Sequence, residues 1–193
     1  MTMPRHLIYP LLLLLLSWNH QAAATSVLPI SLERMTAAAD VIFHGRVISN
    51  EVRRDPVSGN VATFTTFEVT EQAKGQTGET HTIKQIGGEI PGGNMRQIVH
   101  GVPRFSIGGE YVVFLPKASS LGFSSPIGLS QGKFEVLRIN GEPVVSNRRA
   151  VAAAAPTRPG AAEIPSAVEA TTPNRQGVRL EDFLQSVRAI DRE

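Results

Sequence analysis

Cysteine is absent from this chain of 193 residues, and aromatic residues make up only 6% of it. Without cysteine the protein can form no disulfide, and it has no thiolate nucleophile, no cysteine metal ligand and no lipid-attachment cysteine. A strong charge of one sign is also absent, because the formal net charge at pH 7 is +2 and acidic and basic residues are interspersed. A nucleic-acid-binding protein concentrates Lys and Arg on one surface. We therefore expect neither a nucleic acid nor an anionic membrane as a partner.

Long hydrophobic runs are missing too, apart from one near the N-terminus. Residues 7–18, which include six consecutive leucines, follow the positively charged Arg5 and precede small residues that end at Ala24. This run of about 12 residues is too short for a membrane span, which needs roughly 20. It predicts a secretory signal peptide over residues 1–24, cleaved after Ala24, with a membrane anchor as the alternative. We expect a mature protein that is secreted or periplasmic and has no membrane span.

The C-terminal part of the sequence divides into a linker and a helix. Residues 148–177 are rich in Ala, Pro, Thr and Gly and lack aromatic residues, which is typical of a flexible linker. In residues 178–193, four apolar residues recur at i, i+3, i+4 and i+7, namely Leu180, Phe183, Leu184 and Val187. This spacing predicts a short amphipathic helix. Because about three helical turns are marginal in isolation, the helix must dock on the preceding domain or on a partner.

Residues 25–147 are predicted to form a mainly β domain. Segments rich in β-branched and aromatic residues alternate with Gly, Pro and Asn, without the intervening helices of an α/β sheet. The predicted strands are 40–48, 61–70, 79–86, 96–100, 111–115, 127–130 and 133–139. Asn140-Gly141 predicts a type I′ hairpin, and residues 31–39 predict a short helix with Ser31 as its N-cap. Together these patterns favour a small closed or partly closed β-barrel with a short N-terminal helix and a C-terminal helix after the linker.

The stretch from Gly87 to Leu115 contains seven glycines. It is not a P-loop, because Asn94 and Met95 occupy the positions of the P-loop Lys and Ser or Thr. We interpret these glycines as residues of turns and of close backbone approach. Residues 87–102 can still form a loop that shapes a ligand site. The residues predicted at its exposed tip, and therefore as binding residues, are Glu89, Asn94, Met95 and Arg96.

Residues able to support catalysis or metal binding are scattered along the chain. Outside the predicted signal peptide the histidines are His44, His81 and His100. They could bind zinc if they shared one face of a sheet, but no local ligand spacing supports this, so no metal or other cofactor is predicted.

Two further patterns are weak signals for a hydrolase. Residues 128–132 match the Gly-x-Ser-x-Gly motif around Ser130, yet a strand follows where a hydrolase elbow requires a helix. A glycoside hydrolase needs two converging carboxylates, for which the candidates are Glu68, Glu89 and Glu110. Since nothing in the sequence selects among them, no catalytic residue is predicted.

Four segments carry a family resemblance: ADVIFHGRVIS, TFTTFEVTEQAKG, GGEYVVFL and GLSQGKFEVL. In this order they resemble an uncharacterised family of small secreted bacterial proteins, over residues 28–145. They are also distantly similar to netrin-like domains, including the tissue inhibitors of metalloproteinases, and this resemblance implies an OB-like barrel. In those inhibitors an N-terminal cysteine coordinates the protease zinc and disulfides brace the barrel. Because this chain has no cysteine, the resemblance does not extend to the inhibitory mechanism.

The predicted function is that of a secreted or periplasmic, non-enzymatic binding module. Its loops, above all residues 87–102, would contact a ligand or a secreted or envelope protein. The alternatives are a hydrolase whose site is assembled from scattered His, Glu and Ser residues, and a structural role in the cell envelope.

Overall fold

The computed structural model describes residues 28–93, 95–146 and 177–192. These residues form a mainly β structure with one helix before the first strand and one at the end of the described chain. The elements in chain order are α1 (Leu32–Ala38), β1 (Val41–Arg54), β2 (Val61–Lys74), β3 (Thr80–Ile86), β4 (Gly88–Glu89), β5 (Arg96–Gln97), β6 (Glu110–Leu115), β7 (Lys133–Ile139), β8 (Glu142–Ser146), β9 (Val178–Arg179) and α2 (Leu180–Asp191).

Seven of the described strands form one antiparallel sheet in the order β3-β2-β1-β6-β7-β8-β9, and β4 pairs with β5 in a separate two-stranded ribbon. The long strands β1 and β2 have 14 residues each. Their register shifts at three places, between Ile42/Phe43, His44/Gly45 and Val47/Ser49. Such bulges bend a strand and increase its twist. The far end of the β1-β2 hairpin therefore curves away from the rest of the sheet.

The predicted mainly β class with terminal helices is confirmed, but the described strands do not close into a barrel. Strands β3 and β9 stand at opposite ends of the strand order. A loop covers the outer edge of β3 instead of another strand, because Ser124 donates its backbone N–H to the carbonyl of Lys84 at 2.9 Å. The side chain of Lys84 strengthens this cover by donating to the carbonyl of Leu121 at 2.6 Å.

One face of the sheet is covered by the two helices. The Ser31 side chain caps α1 by accepting a hydrogen bond from the N–H of Arg34, as predicted. The helix α2 buries the four residues of its predicted apolar stripe, Leu180, Phe183, Leu184 and Val187. They pack with α1 and with sheet residues that include Ile42, Val112, Phe114, Val136 and Val145. The C-terminal helix therefore completes a core shared with the sheet.

The other face of the sheet has an aromatic core. Its buried residues are Phe43, Val47, Phe67, Ile83, Phe105, Tyr111, Val113 and Leu115. The ring of Phe105 makes edge-on contacts with Phe67 and Tyr111, with both pairs of ring centroids 5.1 Å apart. Because Phe105 comes from the segment between β5 and β6, this segment is drawn onto the sheet.

Two turn predictions have opposite outcomes. The hairpin at Asn140-Gly141 is confirmed, since β7 pairs with β8 and both turn residues have positive φ, 53° and 86°. The strand predicted at 127–130 is wrong, because this segment forms a turn. Gly128 and Leu129 there both adopt φ of 60°, which is incompatible with an extended strand.

Several predicted segments lie outside the described residues. These are the signal peptide 1–24 and nearly all of the linker 148–177. In the part of the chain that the structure describes, neither helix has the length and apolar character needed to cross a bilayer.

Candidate functional site

An open groove of about 310 Å³ lies on the aromatic face, where the curved end of the sheet meets the loop of residues 87–105. Its floor consists of strand residues, namely Asn50, Val52, Thr63, Thr65 and Gln85. Its walls are parts of the loop, namely residues 86–89, 96–99 and 102–105. The groove therefore lies beside the glycine-rich loop that the sequence predicted as a binding element.

Two glycines allow the loop to cross closely over the sheet. Gly88 has φ of 140°, and a Cβ atom there would lie 2.5 Å from Val52 Cγ1 and 2.7 Å from Thr63 Oγ1. Gly87 has φ of 93°, and a Cβ there would lie 2.8 Å from the carbonyl oxygen of Gln97. Real side chains cannot fit in either place. The adjacent glycines thus fix how closely this wall approaches the floor.

Hydrogen bonds from the floor hold the loop in place. Asn50 Nδ2 donates to the Phe105 carbonyl at 2.8 Å, and Asn50 Oδ1 accepts from Thr65 Oγ1 at 2.7 Å. Thr63 Oγ1 donates to the Gly87 carbonyl at 2.7 Å. Polar side chains that face the interior must find partners, and here the loop backbone supplies them. These hydrogen bonds therefore fix the shape of the loop without any contribution from a ligand.

Two further hydrogen bonds of glutamine side chains tie the loop to the strands. Gln85 Nε2 donates to the Pro103 carbonyl at 3.2 Å, and Gln97 Oε1 accepts from the Val61 N–H at 3.1 Å. Behind the loop, the Lys133 ammonium donates to the Arg104 carbonyl and lies 4.6 Å from the centre of the Tyr111 ring. Burial lowers the pKa of Lys133.

The predicted binding residues are only partly brought together. Glu89 and Arg96 line the groove and face each other across β4 and β5, with Arg96 Nε 3.4 Å from Glu89 Oε2. Met95 is 46% exposed and lies next to the groove but does not line it. Asn94 lies outside the described residues.

The rim of the groove combines exposed apolar side chains with an arginine. Ile98 is 54% exposed and Val99 is 36% exposed, and both line the groove. Arg104 also lines it and is exposed. Its guanidinium makes no ion pair with the described residues, whereas that of Arg96 is paired with Glu89. Ile98 and Val99 thus give the rim an apolar surface beside the charge of Arg104.

The floor residues were missed by the sequence analysis, although a signal was present. Thr63, Thr65 and Phe67 alternate along β2 and therefore point to the same face of the sheet. Two threonines on the same side of a strand as a core phenylalanine indicate polar groups on the inward face of the sheet. Asn50 could not be found in this way, because the bulge near Val47 changes the side-chain alternation in β1.

The three histidines do not converge. His44 is paired in register with Val112 on the helix-covered face, while His81 is paired with Phe67 on the aromatic face. His100 is exposed in the loop that follows β5. Among residues 28–93, 95–146 and 177–192, no three His, Asp or Glu side chains are grouped so as to hold a metal ion.

His44 instead belongs to a charged cluster beside α2. It is only 5% exposed, its Nε2 has no hydrogen-bond partner, and Glu110 Oε2 is 3.5 Å away. Burial lowers the pKa of His44, and the negative charge of Glu110 opposes this shift. Glu110 Oε1 also forms an ion pair with Arg46 Nη2, at 3.0 Å. His44 is therefore buried, and Arg46 compensates the charge of the Glu110 carboxylate beside it. A substrate cannot reach this pair.

The serine and carboxylate candidates are also dispersed. Ser130 lies in the turn before β7, and the neighbouring Gln131 holds the start of the described chain by accepting from the N–H of Ile30 at 2.8 Å. Glu68 and Glu110 lie on either side of Arg46 in the sheet, and Glu89 lies in the separate β4-β5 ribbon. Of these three carboxylates only Glu89 lines the groove, so the groove does not hold a pair of them.

A buried ion pair fixes the tip of the β1-β2 hairpin. Lys84 Nζ lies 2.6 Å from Asp55 Oδ2, which also accepts from the N–H of Ser58. The hydrogen bond from Lys84 holds the pKa of Asp55 far below its usual range. The pair joins this tip to β3, so it stabilises the curved end of the sheet that carries the groove floor.

Comparisons with known proteins add no family: no protein-family model matches this chain, and no curated protein matches it significantly. The resemblance to small secreted bacterial proteins and to netrin-like domains therefore stays a prediction.

Proposed function

We propose that the protein is a secreted or periplasmic, non-enzymatic binding module that uses the groove between the sheet and the 87–105 loop. The observation that carries this proposal is the groove itself, with a loop held by hydrogen bonds, an apolar rim and Arg104, whose guanidinium has no ion-pair partner among the described residues. Binding sites are commonly concave, with mostly apolar walls and a few placed polar groups.

A preformed loop favours binding for an energetic reason. The floor side chains Asn50, Thr63 and Gln85 hold the loop backbone through hydrogen bonds within the protein itself. A ligand that enters the groove therefore does not have to order the loop, and the entropic cost of binding is reduced. We expect the partner to be a protein of the cell envelope or the secreted fraction.

A pair of matched variants tests whether the groove is the binding surface. Ile98→Arg places a long cation in the groove, whereas Ile107→Arg makes the same change at a residue that is 66% exposed and does not line it. The immobilised protein is used to capture ligands from the secreted and envelope fractions of its native host. We expect Ile98→Arg to abolish the capture that the wild type and Ile107→Arg show. Equal capture by all three proteins would contradict a role of the groove.

The location of the protein has a separate test. The signal peptide predicted over residues 1–24 implies that the mature chain starts at Thr25. Cell fractionation followed by N-terminal sequencing should find this start outside the cytoplasm. A cytoplasmic protein that retains Met1 would refute this part of the proposal.

We also propose that the fold is related to OB-type barrels. The support is a long bent strand, β1, that pairs with β2 over its length and with β6 over its first half. The described strands leave the sheet open, with Ser124 bonded to the edge of β3, so the proposed relation requires closure in solution. Proton–proton contacts measured by NMR between the backbone of β3 and a strand near the other end of the sheet would demonstrate this closure, and their absence would refute the relation.

The alternative of a hydrolase is not supported by the groove, because Glu89 lines it but His44, His81, His100 and Ser130 do not.

A further inference from the structure

The charge at the groove selects the sign of its ligand. Arg96 is compensated by Glu89 at 3.4 Å, whereas the guanidinium of Arg104 makes no hydrogen bond or ion pair with the described residues. An arginine fork binds a carboxylate through two parallel hydrogen bonds. The rim of the groove therefore carries one positive charge, on Arg104, that a carboxylate of a ligand can pair with.

The floor of the groove favours a ligand that carries hydrogen-bond donors. Gln85 is only 2% exposed and lines the groove. Its Nε2 donates to Pro103, while its Oε1 accepts no hydrogen bond from a described residue. The hydroxyl of Thr63 uses its proton on Gly87, so its oxygen is also left as an acceptor. A pure hydrocarbon chain would bury these acceptors unpaired, at a cost in affinity.

The volume limits the size of what can enter. The groove of about 310 Å³ lies at the lower end of the about 300–1,000 Å³ that is usual for ligand sites, which suits the last one or two residues of a peptide. The apolar surface formed by Val52 of the floor and by Val99 and Phe105 of the walls suits an aliphatic side chain.

We propose, resting on the proposed function, that the groove binds the C-terminus of a peptide or protein whose last residue is aliphatic. The terminal carboxylate pairs with Arg104, the last backbone N–H donates to the floor at Gln85 or Thr63, and the aliphatic side chain packs on the walls. A free aliphatic acid offers the carboxylate and the apolar group but no amide N–H, so the acceptors of the floor favour a peptide.

The test uses a reference peptide, two analogues that each change one group of it, and a small acid that lacks the peptide altogether. The reference is N-acetyl-Gly-Ala-Val with a free carboxylate. The others are its C-terminal amide, its analogue methylated on the valine nitrogen, and 3-methylbutanoate. Each is titrated into the uniformly ¹⁵N-labelled protein, and the NMR signals of Gly87, Gly88 and the Gln85 side chain are followed to obtain Kd. We expect the reference peptide to bind at least tenfold more tightly than each of the other three.

Variants then assign the charge contact to one residue. Arg104→Gln should remove the tenfold preference for the carboxylate over the amide. Arg53→Gln is the matched control, because Arg53 is an exposed arginine that stacks on Phe64 and does not line the groove. It should leave the preference unchanged. If both variants behave alike, or if acid and amide bind equally, the proposed carboxylate contact is wrong.

The outcomes separate this inference from the proposed function. Equal or tighter binding of 3-methylbutanoate would overturn the peptide and favour a small organic acid. Absence of binding by every probe would also overturn the inference. Neither result would affect the comparison of Ile98→Arg with Ile107→Arg in the capture experiment, which tests the groove itself.

Discussion

The two faces of the sheet are covered in different ways. On one face, α1 and α2 pack apolar side chains onto the sheet and leave Leu184 and Val187 fully buried. On the other face, the curved end is covered by a loop whose backbone is held by Asn50, Thr63 and Gln85. Apolar packing fills space without direction, whereas hydrogen bonds hold a loop at a distance set by donor and acceptor. The helix-covered face thus becomes core, and the loop-covered end becomes a groove.

The largest effect should come from the helix-covered face. Leu184→Ala removes a fully buried side chain and should lower the free energy of unfolding by about 2–5 kcal/mol. Chemical denaturation followed by circular dichroism measures this change. Leu121→Ala is the control, since Leu121 is 44% exposed and its loss should cost less than about 0.5 kcal/mol. A small effect at Leu184 would mean that α2 does not belong to the core.

The hydrogen-bonded cover should be weaker but still measurable. Asn50→Ala leaves the Phe105 carbonyl and the Thr65 hydroxyl without their partner, which should cost about 1–3 kcal/mol. Hydrogen exchange should also become faster in residues 98–105. The same substitution at the exposed Asn60, in the turn before β2, should have little effect on either measurement. Unchanged exchange in Asn50→Ala would show that other contacts hold the loop.

The distance between loop and floor can be tested separately. Gly88→Ala introduces a Cβ 2.5 Å from Val52, so the loop must move outward and groove binding should be lost. Gly92→Ala is a matched control, because Gly92 also has positive φ, 69°, but no atom of the described residues lies within 4 Å of an added Cβ. The control should cost only the backbone strain, about 1–2 kcal/mol. Equal ligand binding by both variants would show that the close contact of Gly88 with the floor does not shape the groove.

The smallest expected effect is a dependence on pH that involves both faces. Burial lowers the pKa of His44 on the helix-covered face and of His81 on the aromatic face, from the ordinary value of 6.5. The unfolded chain therefore takes up protons before the folded one does. Stability should be constant above about pH 7 and should fall as the pH drops below 6.5.

Single variants divide this pH effect between the two faces. His44→Gln and His81→Gln should each flatten the decline in Tm between pH 7 and 5.5. If neither variant alters the slope, buried histidines do not cause it.

The local parts of the fold could be predicted because their signals are local. The apolar spacing of Leu180 to Val187 predicts the buried stripe of α2, and Asn140-Gly141 predicts the hairpin because few residues tolerate positive φ at both positions. The prediction failed at 127–130, where the apolar letters resemble a strand but the backbone of Gly128 and Leu129 turns.

The candidate site could be predicted only in outline. The glycine-rich loop was found from composition, and Glu89 and Arg96 do line the groove. The floor was not found, because Asn50 meets Phe105 across 55 positions of sequence and Gln85 meets Pro103 across 18. No periodicity within one segment reports such contacts. The loop that covers the outer edge of β3 was missed for the same reason, because Ser124, which bonds to Lys84, lies far from it in sequence.

Sequence alone therefore determined the strand-rich class, the β7-β8 hairpin, the N-cap of α1 and the apolar face of α2, because each depends on the conformational preferences and spacing of neighbouring residues. The tertiary structure decided that a loop covers β3, that His44 and His81 lie on opposite faces, and that a groove remains beneath residues 87–105. These features depend on which distant groups satisfy one another's hydrogen bonds and fill one another's space, and those choices are made only when the chain has folded.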